Sequence, residues 1–327
     1  MFTKTQETFR SSDRENDVVY YVWTPDCIPK GVVQIVHGMC EYMGKYEEFA
    51  RFLCEKGFVV CGDDHIGHGR TAKNDDDLGY IDPKKGDVYL VKDELELINI
   101  MRRKYRFLPY IIFGHSMGSF ITRVLIANHP DCVDGVILSG TSGSEPPFAF
   151  AKWFAGVMCA LTGKRNRSKL IHKIAFGSYN DKFVDKGQKP IGNEWLSPNR
   201  EQVDKFKDDK FCHFKFTTAA YKALFALGKY MSSDKWYEDY PKSMPTLLIA
   251  GEEDPVCQYG EGIIEVYTKL KDADMSDIDA KIYKEERHEL LQGYKIELVQ
   301  KDLLEWLERV TAGVVEARVQ TRSQFER

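Results

Sequence analysis

Apolar and polar positions alternate along the chain in blocks that predict strands followed by helices. Short apolar runs rich in β-branched residues are separated by longer segments whose apolar positions have helical spacing. The predicted strands are 18–23, 32–36, 58–61, 110–113, 133–138, 246–250 and 280–283. The predicted helices are 46–56, 88–105, 117–128, 263–270 and 294–309. Apolar strands alternating with helices indicate an α/β fold, with a mostly parallel central sheet flanked by helices on both faces.

The alternation stops in the middle of the chain. Residues 142–241 are rich in aromatic side chains and predict helices without a buried strand. We therefore expect an α/β core in two parts, 1–141 and 242–310, with a helical cap or lid inserted between them. An insertion of this size usually covers an active site. Residues 311–327 are polar and predict a C-terminal tail or a frayed helix.

Composition narrows the function classes. The 327 residues carry 46 basic and 50 acidic side chains, a net charge of −4, so no global basic field favours nucleic acid. None of the eight cysteines forms a C-x-x-C pair, which argues against zinc and favours reduced thiols. The N-terminus lacks the apolar core of a signal peptide, and we expect a cytoplasmic protein that needs no cofactor or metal.

The segment Gly-His-Ser-Met-Gly at residues 114–118 is the strongest local signal. It directly follows the predicted strand 110–113 and directly precedes the predicted helix 117–128. This context predicts a nucleophile elbow, in which a strained turn presents Ser116 above the sheet at a helix N-terminus. Ser116 is therefore the candidate nucleophile.

A serine nucleophile needs a base, and the base needs an orienting acid. In folds with this elbow the acid and then the histidine follow the serine along the chain. His288 is the only histidine after residue 213, and it lies between the last predicted strand and the last predicted helix. Asp254, in the turn after strand 246–250, is the predicted acid; Glu252 and Glu253 in the same turn remain alternatives.

Two backbone N–H groups are expected to form an oxyanion hole. One belongs to Met117, directly after the nucleophile, and the other to Met39, in the loop after strand 32–36. Gly38 permits the tight turn there, and His37 is expected to shape the loop rather than to act in catalysis.

A second group of histidines leaves a metal site open as an alternative. His65 and His68 stand close to Asp63 and Asp64 in the segment DDHIGHGR. Turn formation around Gly67 and Gly69 explains this segment more simply, and we expect no metal there.

Five segments together resemble a known family. HGMCEY, DDHIGHGRT, GHSMGS, GEEDPV and ERHELL stand in this order between about residues 30 and 310. They resemble the monoacylglycerol lipase and lysophospholipase branch of the α/β-hydrolases. The resemblance implies an α/β-hydrolase fold and a serine esterase or lipase, with Ser116, Asp254 and His288 as the triad. Tyr42 departs from the pattern, because the family usually has a histidine after this glutamate.

The first part of the cap bears on the substrate. Residues 148–161 are apolar nearly all round, which is typical of a helix that is buried or covers apolar material. We expect Trp153, Phe154 and Met158 to bind a small lipophilic ester, and the cap to contact lipid aggregates or a membrane surface transiently. A basic cluster follows, and it is either a solvated face or a site for anionic lipid: Lys164, Arg165, Arg167, Lys169 and Lys173.

Two other functions remain open from the sequence. An aminopeptidase or amidase on the same fold would need a cap carboxylate to hold the substrate amine, and four are available: Glu145, Asp181, Asp185 and Glu194. A non-catalytic ligand receptor on this fold could also retain the triad.

Overall fold

A central sheet of eight strands organises the computed structural model, which describes residues 1–144, 148–183, 190 and 192–325, with side chains described up to residue 321. The strands are β1 (Phe2–Arg10), β2 (Asp17–Pro25), β3 (Gly31–Val36), β4 (Phe58–Asp63), β5 (Tyr110–His115), β6 (Gly135–Ser139), β7 (Thr246–Gly251) and β8 (Ile278–Tyr283). Their order is β1-β2-β4-β3-β5-β6-β7-β8. β1 and β2 pair antiparallel with their neighbours, and the remaining strands are parallel.

Helices cover both faces of this sheet. The described α-helices are α1 (Glu47–Glu55), α2 (Gly86–Lys104), α3 (Met117–Asn128), α4 (Phe148–Thr162), α5 (Lys169–Phe176), α6 (Arg200–Asp208), α7 (Thr218–Met231), α8 (Asp234–Asp239), α9 (Glu261–Asp272) and α10 (Ile296–Phe325). One hydrophobic cluster joins the sheet to α2, α3, α7 and α9, and a second joins it to α1 and α10. The predicted mostly parallel α/β fold is confirmed.

One strand was missing from the sequence-based prediction, and one predicted helix is longer than expected. β1 carries mostly exposed polar side chains, so it lacks the apolar pattern of a buried strand, and its backbone pairing with β2 defines it. α10 continues to Phe325, so the predicted start of a tail at Thr311 lies inside this helix. Arg318 attaches this extension to the core, because its guanidinium donates to Asp134 Oδ1 at 2.7 Å and to the Phe107 carbonyl at 3.1 Å.

Buried Arg123 on α3 joins the core to both ends of the inserted region. Its guanidinium donates to the carbonyl of Ser142 at 2.7 Å and to that of Met231 at 2.8 Å. It also lies 3.9 Å from the ring centroid of Trp236, in cation–π contact. These contacts fix where the chain leaves the core and where it returns.

The parallel strands bring the predicted site residues to one edge of the sheet. β3, β5, β7 and β8 end just before the segments that contain Gly38, Ser116, Asp254 and His288. In open α/β sheets the carboxyl ends of the strands form the ligand-binding edge. The topology therefore assembles one candidate site from four loops.

Candidate active site

The turn at Ser116 has the backbone of a strained elbow. Ser116 has φ 52° and ψ −121°, a conformation rare for a residue with a side chain. The flanking glycines permit it: a Cβ at Gly118 would lie 2.0 Å from the Val36 carbonyl oxygen, and one at Gly114 would lie 2.5 Å from Thr122 Oγ1. The strand and the helix can therefore pack this closely only without side chains at these two positions.

The structure brings Asp254 and His288 together. His288 Nδ1 lies 2.8 Å from Asp254 Oδ2, and both side chains are buried. Asp254 Oδ1 accepts the N–H of Val256 at 2.8 Å, which fixes the carboxylate. His288 Nε2 has no hydrogen-bond partner among the described residues, and both His288 and Ser116 line the same cavity. With Nδ1 donating to the carboxylate, Nε2 is the ring nitrogen available as a base.

The alternative acids lie elsewhere. Glu252 is exposed and accepts the backbone N–H of Glu285 at 3.2 Å. Glu253 pairs with Arg287 at 3.3 Å. Asp254 is therefore the carboxylate that contacts His288.

Electrostatics favour the protonated form of His288. Burial alone lowers the pKa of its imidazole, but the charge and hydrogen bond of Asp254, followed by the charges of Glu289 and Glu41, raise the net pKa above 6.5. An imidazolium formed during proton transfer from a nucleophile is stabilised by the same contacts.

The loop that contains Gly38 and Met39 lies against the nucleophile. A Cβ at Gly38 would lie 3.0 Å from Ser116 Cβ and 2.8 Å from Glu41 Oε2, and the Gly38 N–H donates to Glu41 Oε2 at 2.7 Å. Met39 and Met117 both line the cavity beside Ser116. Within the part of the chain that is described, their N–H groups donate to no protein acceptor, as an oxyanion hole requires.

A buried charge network links this loop to the His288 loop, and sequence reasoning missed it. Lys45 Nζ lies 3.1 Å from Glu41 Oε1 and 2.5 Å from Glu289 Oε1. Burial favours neutral Glu41, but the Lys45 charge and the Gly38 N–H hold its pKa below the usual range. The i,i+4 spacing of Glu41 and Lys45 could have indicated the pair.

Tyr42, the departure from the family pattern, attaches the same loop to the cap. Its hydroxyl donates to Asp209 Oδ2 at 2.8 Å, and its ring lies 5.1 Å from that of Phe211. The loop that contains Gly38, Met39 and Tyr42, called the oxyanion loop below, is thus held directly to the end of α6.

Two of the four residues considered for a metal site, Asp63 and His65, converge with Glu94 and not with Asp64 and His68. Asp64 accepts the backbone N–H groups of Met43 at 2.9 Å and Arg70 at 2.8 Å, so it shapes the loop. His68 Nε2 accepts the Cys40 N–H at 3.3 Å, and burial lowers its pKa to about 3. Asp63 and His65 face Glu94 instead, a buried cluster considered below.

A cavity of about 970 Å³ lies above Ser116, between core and cap. Two residues of the apolar helix α4 line this cavity, Phe148 and Ala151, which lie one helical turn apart. Trp153, Phe154 and Met158, the predicted substrate-binding residues, are not among the residues that line this cavity, and their role in binding stays a prediction. Phe154 and Met158 pack against the hydrophobic cluster, and the Trp153 side chain is 61% exposed on the outer side of the helix. The all-round apolar pattern of α4 could not show which face turns inward.

Comparison with known proteins agrees with this geometry. A sequence model of the family described as "Serine aminopeptidase, S33" matches residues 28–293. The chain belongs to this hydrolase family.

Relatives and solved structures extend the match over most of the hydrolase. This chain is 27% identical over 294 residues to a monoacylglycerol lipase of Mycolicibacterium smegmatis, and the alignment covers 89% of this chain and 92% of the relative. It is 26% identical over 269 residues to a monoglyceride lipase of Homo sapiens, covering 82% and 78%. The structure of a highly thermostable carboxyl esterase from Bacillus coagulans superposes with a TM-score of 0.88 at 29% identity, covering 95% and 100%. The predicted α/β-hydrolase, a serine hydrolase related to monoacylglycerol lipases and esterases, is confirmed.

Of the four carboxylates considered above for an aminopeptidase, the two that the structure describes do not line the cavity, whereas Asp208 at the end of α6 does. Asp181 is exposed, and Glu194 Oε2 accepts from Asn180 at 2.6 Å and from the Gly192 N–H at 2.9 Å. Neither lines the cavity. Glu145 and Asp185 lie outside the described residues.

Trp195, which no sequence pattern singled out, covers His288. Its ring lies 5.1 Å from that of His288, and its carbonyl accepts the His288 N–H at 3.4 Å. This cap segment therefore shields the Asp254–His288 pair.

As for a membrane span, no helix in the described ranges combines the length and the apolar character that crossing a bilayer demands.

Proposed function

We propose that this hydrolase cleaves the carboxylic ester bond of lipophilic monoesters, monoacylglycerol or lysophospholipid-like, through an acyl-enzyme on Ser116. One observation carries the proposal: the cavity that contains Ser116 and His288 continues along a wall of apolar side chains. That wall includes Phe120, Phe148, Ala151, Leu224 and Phe225. The monoacylglycerol lipases among the relatives support the same substrate class.

The chemistry follows from the contacts of the site. The Ser116 oxygen attacks the ester carbonyl while His288 Nε2 accepts the serine proton, and Asp254 stabilises the imidazolium. The N–H groups of Met39 and Met117 bind the oxyanion. Collapse of the tetrahedral intermediate expels the alcohol, which takes the proton from His288. Water, deprotonated by the same nitrogen, then releases the fatty acid and restores Ser116. Every step uses side chains and backbone groups of this chain.

Chain-length dependence tests the substrate class. Each buried CH₂ contributes about 0.8 kcal/mol at most, so kcat/KM should rise several-fold per two carbons from acetyl to decanoyl glycerol monoesters. The panel also includes lysophosphatidylcholine and aminoacyl-naphthylamides. Preference for acetyl esters without gain from longer chains contradicts a lipophilic substrate, and faster cleavage of the naphthylamides identifies an amidase instead.

A cavity-filling variant localises the acyl chain. Ala151→Trp places a large ring at the apolar wall, and we expect it to reduce kcat/KM for decanoyl esters at least about tenfold while acetate hydrolysis changes little. Ala160→Trp, on the exposed side of the same helix, is the matched control. Equal effects of both variants would contradict this location of the chain.

We further propose that the outer face of the cap contacts lipid surfaces. Four large apolar side chains on α4 and α5 that do not line the cavity are between 52% and 77% exposed: Phe150, Trp153, Leu161 and Leu170. Lys164, Lys169 and Lys173 are exposed beside them, whereas Arg165 and Arg167 bind the 76–78 segment of the core. An exposed apolar face with adjacent cations suits an anionic lipid surface. A cytoplasmic location stays a prediction.

Vesicle sedimentation tests this surface. The hydrolase should sediment with phosphatidylcholine–phosphatidylglycerol vesicles, and Phe150→Ser/Trp153→Ser should weaken binding several-fold without altering hydrolysis of a soluble butyrate ester. Val319→Ser removes an equally exposed apolar side chain (63%) from α10 and serves as the control. Undiminished binding by the double variant would refute this contact.

A further inference from the structure

A buried polar cluster lies beneath the oxyanion loop and takes no part in the triad. It consists of Asp63 at the end of β4, His65 in the following loop and Glu94 on α2. One donor atom from each lies within 4.8 Å of the other two, and all three side chains are at most 1% exposed. Placing three ionisable groups in the core is costly unless they compensate one another.

Contacts of His65 show how the cluster is balanced. Its Nδ1 lies 3.1 Å from Glu94 Oε1 and 3.4 Å from Asp63 Oδ1, and its Nε2 donates to the His37 carbonyl at 3.1 Å. Burial lowers the pKa of His65, but the Asp63 charge and the hydrogen bonds to both carboxyls raise it well above 6.5. Burial, followed by the Asp63 charge, raises the pKa of Glu94 to about 8. At neutral pH the cluster therefore holds one cation, one anion and a neutral Glu94.

His65 in turn fixes His37. The His65 backbone N–H donates to His37 Nε2 at 3.1 Å, and the two rings stack with centroids 3.8 Å apart. Because Nε2 accepts, Nδ1 carries the proton and donates to the Gly38 carbonyl at 2.8 Å. Burial, followed by the charge of His65, lowers the pKa of His37 well below 6.5, which keeps this neutral tautomer.

The Gly38 carbonyl belongs to the same peptide group as the Met39 N–H. In a trans peptide these two groups point in opposite directions. A hydrogen bond that holds the carbonyl toward His37 therefore directs the Met39 N–H away from His37. Met39 lines the cavity beside Ser116, where that N–H is expected to bind the oxyanion.

Glu94 itself is anchored from the sheet. Gln34 on β3 donates from Nε2 to Glu94 Oε2 at 2.5 Å, and the Tyr110 hydroxyl donates to Gln34 Oε1. Hydrogen bonds thus connect β5 to β3 and β3 to Glu94 on α2, and a 3.1 Å polar contact connects Glu94 Oε1 to His65.

We propose that Glu94 is a positioning residue for the oxyanion hole. Glu94 holds the side chain of His65, and His65 holds His37. His37 in turn orients the peptide between Gly38 and Met39. The inference rests on the proposed function, in which Met39 N–H stabilises the oxyanion. Removal of an oxyanion donor costs about 10²–10³-fold in kcat, and partial misalignment should cost less.

Glu94→Leu tests the inference. It leaves the Asp63–His65 pair electrically balanced but removes the support of His65 on one side. With p-nitrophenyl butyrate we expect kcat to fall about 10–100-fold while KM changes less than about threefold. Affinity for a trifluoromethyl ketone, which forms a tetrahedral oxyanion on the serine, should fall by the same factor as kcat/KM. Glu94→Gln, whose amide oxygen can face His65, should restore kcat to within about threefold of the parent enzyme.

Asp93→Leu is the matched control. Asp93 is the adjacent residue of α2, is also buried, and bonds Ser11 and Ser12 at 2.7 Å, away from the site. This variant should lower Tm without changing kcat or ketone affinity. If Glu94→Leu behaves like Asp93→Leu, or changes only KM, the positioning role is refuted. If Glu94→Leu does not fold, Gln34→Leu removes the anchor of Glu94, and a kcat identical to that of the parent refutes the proposal.

Ser116→Ala, run in the same assay, separates this inference from the proposed function. Loss of activity in Ser116→Ala with an unchanged Glu94→Leu refutes the role of Glu94 alone. Retained activity in Ser116→Ala refutes the proposed site, and the role of Glu94 with it.

Discussion

Adding one methyl group to the oxyanion loop should reduce turnover without abolishing the fold. In Gly38→Ala the new Cβ would lie 3.0 Å from Ser116 Cβ and 2.8 Å from Glu41 Oε2, whereas ordinary contacts begin at 3.4 Å. Gly38 is not among the residues with positive φ, so steric contact rather than backbone strain is the perturbation. The loop must move away from the nucleophile by a few tenths of an ångström, and the Met39 N–H moves with it.

The size of the effect follows from the role of that N–H. Loss of one oxyanion donor costs about 10²–10³-fold in kcat, so we expect a decrease of about 10²-fold, equivalent to about 2.7 kcal/mol. Overpacking should lower the free energy of unfolding by about 1–3 kcal/mol. Steady-state hydrolysis of p-nitrophenyl butyrate gives kcat, and thermal unfolding by circular dichroism gives stability.

Gly156→Ala provides the control. Gly156 lies on α4, and an added Cβ there meets nothing closer than Lys222 Cε at 3.8 Å. Alanine in a helix is favoured over glycine by about 0.5–1 kcal/mol, so this variant should be slightly more stable and fully active. A Gly38→Ala enzyme with kcat within twofold of the parent would refute the close packing of the oxyanion loop on Ser116.

Three further predictions concern other contacts. In the proposed mechanism neutral His288 is the base, and its pKa is raised above 6.5, so kcat/KM should be maximal above that pKa and fall tenfold per pH unit below it with one proton; a pH profile flat to pH 5 would contradict the histidine base. Arg123→Leu leaves two buried carbonyls without their donor, so the free energy of unfolding should fall by about 2–4 kcal/mol, and an unchanged Tm in differential scanning calorimetry would contradict that structural role. Tyr42→Phe removes the hydrogen bond to Asp209, worth about 0.5–1.5 kcal/mol, so limited trypsin digestion should cleave the cap about 2–10-fold faster at unchanged global Tm; equal cleavage rates would show that this bond does not hold the cap.

The core of the fold and the meeting of Ser116, Asp254 and His288 at one edge of the sheet could be predicted from local patterns. Apolar strands and the Gly-His-Ser-Met-Gly turn each determine their own backbone, and parallel topology then brings the strand ends together. Asp254 could be favoured over Glu253 by its position in the turn, but only the fold shows Glu253 paired with Arg287.

Other features depend on contacts between distant segments. β1 has no apolar pattern, and its pairing with β2 defines it. α4 is apolar on every side, so its sequence could not show that Ala151 faces the cavity and Trp153 faces solvent. Glu94 stands in an ordinary amphipathic helix, and its role appears only where Gln34 and His65 approach it from other elements. Tertiary packing decides each of these three features, and a short stretch of sequence does not contain that information.

The kinetics of three variants test most directly whether Ser116 and His288 act as one catalytic unit. Ser116→Ala, His288→Ala and the double variant are compared with the parent in hydrolysis of a medium-chain monoacylglycerol, with fluorophosphonate labelling followed by intact mass. We expect each single variant to lose about 10⁴–10⁶-fold in kcat, the double variant to be little worse than either, and the label to be absent from Ser116→Ala. Additive losses, or full labelling of Ser116→Ala, would contradict the assignment of the active site.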